Sequence, residues 1–259
     1  NDGIFSAREG TVILNGSDNQ IFTPGSSSYY DLTLNNAGDD KLLTIAGDLE
    51  IDHDLTLTDG TLDFDTNDPA ISVAGDLAIA DGAVWTKGSG TATFDGATQS
   101  LSDANTTPND LGDALIDCDI LTVSTNATVS SIQISSGSIT IISPSIPFNV
   151  NEILTITGEL EMADGSVVDA GGNVIVTAAG TLDMDGTSRL KMEGDLSFSG
   201  TLEASVDSRI DLDGDTEQTI SGTPSTNPTI NRLFCSSSAT VFNLTATIND
   251  TLDAGGEDF

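Results

Sequence analysis

The stretch "IDHDL", residues 51–55, carries the chain's single histidine, His53, between Asp52 and Asp54. An imidazole beside carboxylates can hold a proton near neutrality or ligate a metal. Metal centres normally draw on further His or Cys donors. There is no second histidine, and the two cysteines, Cys118 and Cys235, are distant in sequence. His53 also shares the parity of Leu49, Ile51, Leu55 and Leu57. In an extended chain that parity predicts a strand bend or a hydrogen-bonded interior imidazole, and His53 is not assigned as a ligand.

Three acidic clusters come next: Asp63, Asp65 and Asp68; Asp183 and Asp185; Asp211, Asp213 and Asp215. Oxygen-rich turns can hold calcium, but these spacings match neither an EF-hand loop nor a glycine-rich nonapeptide repeat. They read as a solvated acidic face that holds cations loosely. Calcium is the one candidate ion, and no cofactor is expected. A glycoside hydrolase needs a defined carboxylate pair, and nothing singles one out. A lyase acting on acidic glycans needs basic groups at the reacting carbon. The seven available, Arg8, Lys41, Lys87, Arg189, Lys191, Arg209 and Arg232, are scattered in sequence. No catalytic residue is assigned, and the chain is expected not to be an enzyme. Trp85 and the pair Tyr29 and Tyr30 could stack on sugars, but they fall at strand positions, with Phe5 aligned near Trp85, so packing is the expected role. Sequons begin at Asn15, Asn126, Asn243 and Asn249.

The elements that must position these groups follow from composition and repetition. With 41 acidic residues against 7 basic ones the net charge is −34, a field that repels nucleic acid and anionic membranes. Hydrophobic residues make up 37% and alternate with polar ones, which argues for a core rather than an acidic disordered tail. No apolar run is long enough for a membrane helix. The first residues lack a signal peptide and an initiator Met, so the sequence reads as a processed or excised piece.

A short unit recurs seven times: "GDLEI" from Gly47, "GTLDF" from Gly60, "GDLAI" from Gly75, "GELEM" from Gly158, "GTLDM" from Gly180, "GDLSF" from Gly194 and "GTLEA" from Gly200. Each puts apolar residues two apart, the signature of a short half-buried strand. Asp-Gly pairs at 59–60, 81–82, 164–165 and 185–186 punctuate them as tight turns. A longer unit overlies the short one, marked by turn glycines Gly16, Gly96 and Gly214. A glutamine (Gln20, Gln99, Gln218), a proline loop and a further strand follow each. The reading places the three copies in one register, with Cys118 and Cys235 on repeat-equivalent strands as buried, unpaired thiols. The next turn glycine after each copy is Gly60, Gly137 and Gly255, and the sequence reads as cut within a super-repeat at both ends.

Short alternating strands with Gly- and Asp-rich turns predict an all-β fold. Quasi-repeating coils without a natural stop favour a right-handed parallel β-helix of about 11–12 coils. Residues 1–259 would form one continuous, open-ended β-solenoid. "DLTLTDGTLDF" and "GGNVIVTAAGTLDMDG" resemble the repeats of large bacterial surface proteins, filamentous-haemagglutinin-like and autotransporter-passenger β-solenoids. The resemblance implies an extracellular structural element of a microbial cell surface, a stalk, fibre or coat, with an adhesin module contacting glycan or another surface as the alternative. A polysaccharide-degrading enzyme ranks third. The expected partners are further copies or neighbouring segments stacked through the solenoid ends, with a glycan or surface receptor as the alternative partner.

Overall fold

The computed structural model describes residues 5, 6, 8–36, 41–236 and 239–253. It is all-β, with no helix among the described residues, and its parallel strands stack as a β-solenoid of about 11 turns. The chain divides into two compact units, residues 1–130 and 131–259.

In the first unit each coil visits three sides in fixed order. A first-side ladder contains Asp31–Asn36, Leu55–Asp59, Leu77–Ile79 and Thr98–Asp103. A second-side ladder contains Leu42–Ile45, Thr61–Asp63 and Val84–Thr86, and a third-side ladder Leu49–Ile51, Ile71–Val73 and Ala92–Phe94. The second unit repeats this order, for example Glu159–Met162, Val167–Ala170 and Val174–Val176 in one coil. In both units the Asp-Gly turns lie where the chain leaves the first side, and Gly60, Gly82, Gly165 and Gly186 all have positive φ (88°, 87°, 73° and 51°). All seven short units coincide with strands.

Alternation builds the core directly. Ile51, Val73, Phe94 and Ile116 form one inward column. Leu154, Val174, Leu196 and Ile220 form another, and all eight are buried. Every inward residue meets its counterpart one strand spacing away, about 4.8 Å, so apolar area is buried along each column as well as across the coil.

The glycines that mark the long repeat are not held at one angular position. Gly16 ends the first-side strand Thr11–Gly16 ahead of a second-side strand, Gly96 lies between third- and first-side strands, and Gly214 between second- and third-side strands. The expected common register is therefore corrected: the three copies occupy three different corners. What recurs is a corner device. Gly96 N–H donates to Gln99 Oε1 (3.0 Å), while Gln99 Nε2 donates to the carbonyls of Val73 (2.7 Å) and Gly75 (2.6 Å) in the preceding coil. Gly214 and Gln218 repeat it against Met192 and Gly194 (3.0, 2.9 and 2.7 Å). At the remaining corner Gln20 packs against Gly16, but its Oε1 is buried without a hydrogen-bond partner, so the clasp closes at two of the three copies. Gly255 lies outside the described residues.

The cysteines follow the same correction. Cys118 lies in the bend after Ala114–Ile116, whereas Cys235 ends the strand Thr229–Cys235, at the end of the inward column Val150, Ala170, Met192, Leu212. Both are buried and free, and burial raises both thiol pKa values, that of Cys118 to about 11.

Candidate functional site

Where the chain turns from the third side onto the first, Tyr30 and Asp31 in one coil lie against His53 and Asp54 in the next, with Leu32 paired to Leu55. The coil after that contributes Gly75 and Asp76, with Leu55 paired to Leu77. His53 occupies a bend, so it escapes the strand alternation on both sides of it. It is not an interior imidazole: its side chain is 47% exposed, and those of Asp31 and Asp54 are 26% and 41% exposed.

His53 Nδ1 lies 2.7 Å from Asp31 Oδ1 and 3.4 Å from Asp54 Oδ2. The Tyr30 ring stacks on the imidazole with centroids 4.6 Å apart and planes 9° from parallel. The other carboxylate oxygens are held from outside the group. Thr11 Oγ1 donates to Asp31 Oδ2 (3.1 Å), and the Asp76 N–H donates to Asp54 Oδ1 (2.8 Å). Gly75 N–H donates to the His53 carbonyl (2.7 Å), and a Cβ at residue 75 would fall 2.4 Å from the His53 carbonyl carbon. The tight approach of the third coil thus requires glycine there. The hydrogen bond to Asp31 raises the His53 pKa against an opposing desolvation, with Asp54, Asp31 and Asp76 adding attraction. The same bond chiefly lowers the pKa of Asp31. The imidazole's partners are carboxylates and a phenol face, so the group suits a shared proton or a cation, and no nucleophile is positioned by it.

Asp31 and Tyr30 were missed as members of this group, although a signal is present: "DLTL" occurs at residues 31–34 and again at 54–57. That match places Asp31 over Asp54 and Tyr30 over His53.

The acidic clusters go to separate tasks. Asp63 is buried, accepting from Thr44 Oγ1 (3.0 Å) and Thr66 Oγ1 (2.6 Å), and Asp68 accepts from Ser89 N–H (2.6 Å). Asp183 stands outward in register between Glu161 and Glu203. Its pKa is raised by desolvation first, then by Asp185, Glu203, Glu161 and Glu159. Asp211 is buried between Arg189 and Arg209, and Asp213 lies 3.2 Å from Lys191.

The basic residues are less dispersed than their sequence positions suggest. Arg189, Lys191, Arg209 and Arg232 all project from the second side of the second unit, each paired with aspartates: Lys191 with Asp169 (2.6 Å), Arg232 with Asp207 (2.9 Å) and Asp250 (3.0 Å).

Trp85 is buried against Phe64 (centroids 4.5 Å apart), and Tyr29 is buried beneath Phe5 and Phe22. Phe5 is 41% exposed, so its alignment with Trp85 does not carry into a shared environment. A separate groove of about 420 Å³ in the first unit is lined by Ser26, Asp48, Glu50, Ser72 and Thr93 among others, none of them aromatic. No protein-family model matches the chain, and neither the curated proteins nor the solved structures hold a match to it.

Proposed function

We propose that the chain is a structural element of a microbial cell surface, a segment of stalk, fibre or coat, working outside the cell. The observation that carries this reading is where the polar chemistry goes. Carboxylates, amides and cations are spent on joining one coil to the next, as at Asp54 with Asp76, Gln99 with Gly75 and Arg189 with Asp211. Such a chain invests its functional groups in extending a repetitive scaffold. The adhesin alternative draws less support, because Trp85 and Tyr29 are buried and the acid-lined groove presents no ring to a sugar. Copies would associate through unpaired strand edges of terminal coils.

Electron microscopy of the native particle with an antibody against this chain tests the reading. Label distributed along filaments or over a surface layer is the expected result. Soluble, unassembled label together with saturable glycan binding would favour the adhesin, and turnover of a polysaccharide would overturn both.

A further inference from the structure

Among the described residues, Asp31 and Asp54 share an imidazole nitrogen. We propose that Nδ1 of His53, Oδ1 of Asp31 and Oδ2 of Asp54 bind one divalent first-row transition ion, zinc being the best match. These three side chains offer donor atoms that all lie within 4.8 Å of one another. An ion bound at about 2.0–2.2 Å to each donor needs them roughly 3–3.5 Å apart. The separations of 2.7 and 3.4 Å from Nδ1 bracket that requirement. The ion takes the place of the Nδ1 proton, which leaves to solvent.

The surroundings are organised as ligand supports. The oxygen of each aspartate that does not face the imidazole is already held, by Thr11 in one case and by the Asp76 N–H in the other, which aims the second oxygen at Nδ1. Tyr30 fixes the ring plane by stacking. Outer contacts of this kind orient ligands and tune affinity. The nitrogen donor favours zinc, nickel or copper over the oxygen-seeking calcium and magnesium. The half-exposed imidazole leaves room for water to complete the coordination, and a net charge of −34 concentrates cations around the chain.

The test is calorimetric titration of zinc chloride into the full chain in millimolar calcium, which loads sites made of oxygen alone. One equivalent of saturable zinc uptake is expected. His53→Ala and Asp31→Asn should each weaken it about tenfold or more, while Asp183→Asn leaves it unchanged. Cobalt(II) should give a visible absorption band with the parent that His53→Ala abolishes. The substituted side chains are partly exposed, and circular dichroism confirms that each variant folds; should one fail, Asp54→Asn reads out the same loss. Absence of saturable uptake in calcium, or undiminished uptake by His53→Ala, would overturn the proposal and leave the group an ion pair only.

Discussion

Thr140 is fully buried and its hydroxyl has no hydrogen-bond partner, although its neighbour in the same inward column is Leu160. A buried hydroxyl without a partner costs about 1–3 kcal/mol. Thr140→Val, which keeps the branched shape, should therefore raise stability by about 1 kcal/mol, measured by urea unfolding at unchanged m-value. Asp183 presents the opposite problem on the outer surface, with acids directly above and below it. Its folded-state pKa lies above the usual 3.8, so the folded state holds the proton more tightly than the unfolded one. The favourable contribution is present at low pH and is lost as pH rises through the folded pKa. Asp183→Asn should stabilise by about 0.5–1 kcal/mol at pH 7. That gain should vanish as pH falls below the ordinary aspartate range; a gain of the same size at pH 3 would contradict the stacking argument.

The strands and corners hold the coils in register. Gln99 joins three backbone groups across two coils while almost wholly buried. Gln99→Leu keeps the volume and orphans those groups, so a loss of about 2–3 kcal/mol is expected by chemical denaturation. Inward strand positions tolerate apolar exchange but not charge. Leu196→Asp would set a carboxylate between Val174 and Ile220 and should cost several kcal/mol; a melting temperature equal to the parent's would refute the register. Much of this scale was legible in the sequence, because a period of two and Asp-Gly turns are local signals that the coil merely repeats. The glutamine pattern was visible too, but its rotation from corner to corner was not, since corners between similar short strands can accept the same device, as those of Gln99 and Gln218 do. The His53 group was hidden for a related reason. A strand bend was one of the two readings of its parity and the bend at residues 52–53 is present, but that bend turns the ring outward instead of into the core, and its partner Asp31 arrives from the preceding coil. Cys118 and Cys235 were legible as buried thiols, but their equivalence rested on the assumed common register.

At the scale of the whole molecule the dominant quantity is charge. The 41 acids are offset by only 7 cations, and four of those are gathered on one face of the second unit, where Arg189 and Arg209 share the buried Asp211. That local neutralisation explains how the core-side strand Arg209–Leu212 tolerates a buried carboxylate, yet it leaves columns such as Glu161, Asp183 and Glu203 with no opposite charge in register. Strands stacked about 4.8 Å apart bring such carboxylates well within a Debye length of one another at physiological salt. Compaction therefore works against self-repulsion that mobile ions can screen and divalent cations can bridge. Thermal unfolding in low salt with a chelator should occur well below that in millimolar calcium or high sodium chloride, by about 2–4 °C for each kcal/mol of repulsion relieved. Because the effect belongs to many carboxylates, His53→Ala should keep the calcium response in full even where it abolishes zinc uptake. Melting curves that coincide with and without calcium would show that the repulsion is already balanced within the fold, and a calcium response lost with His53 would place it at one site instead of across the acidic surface.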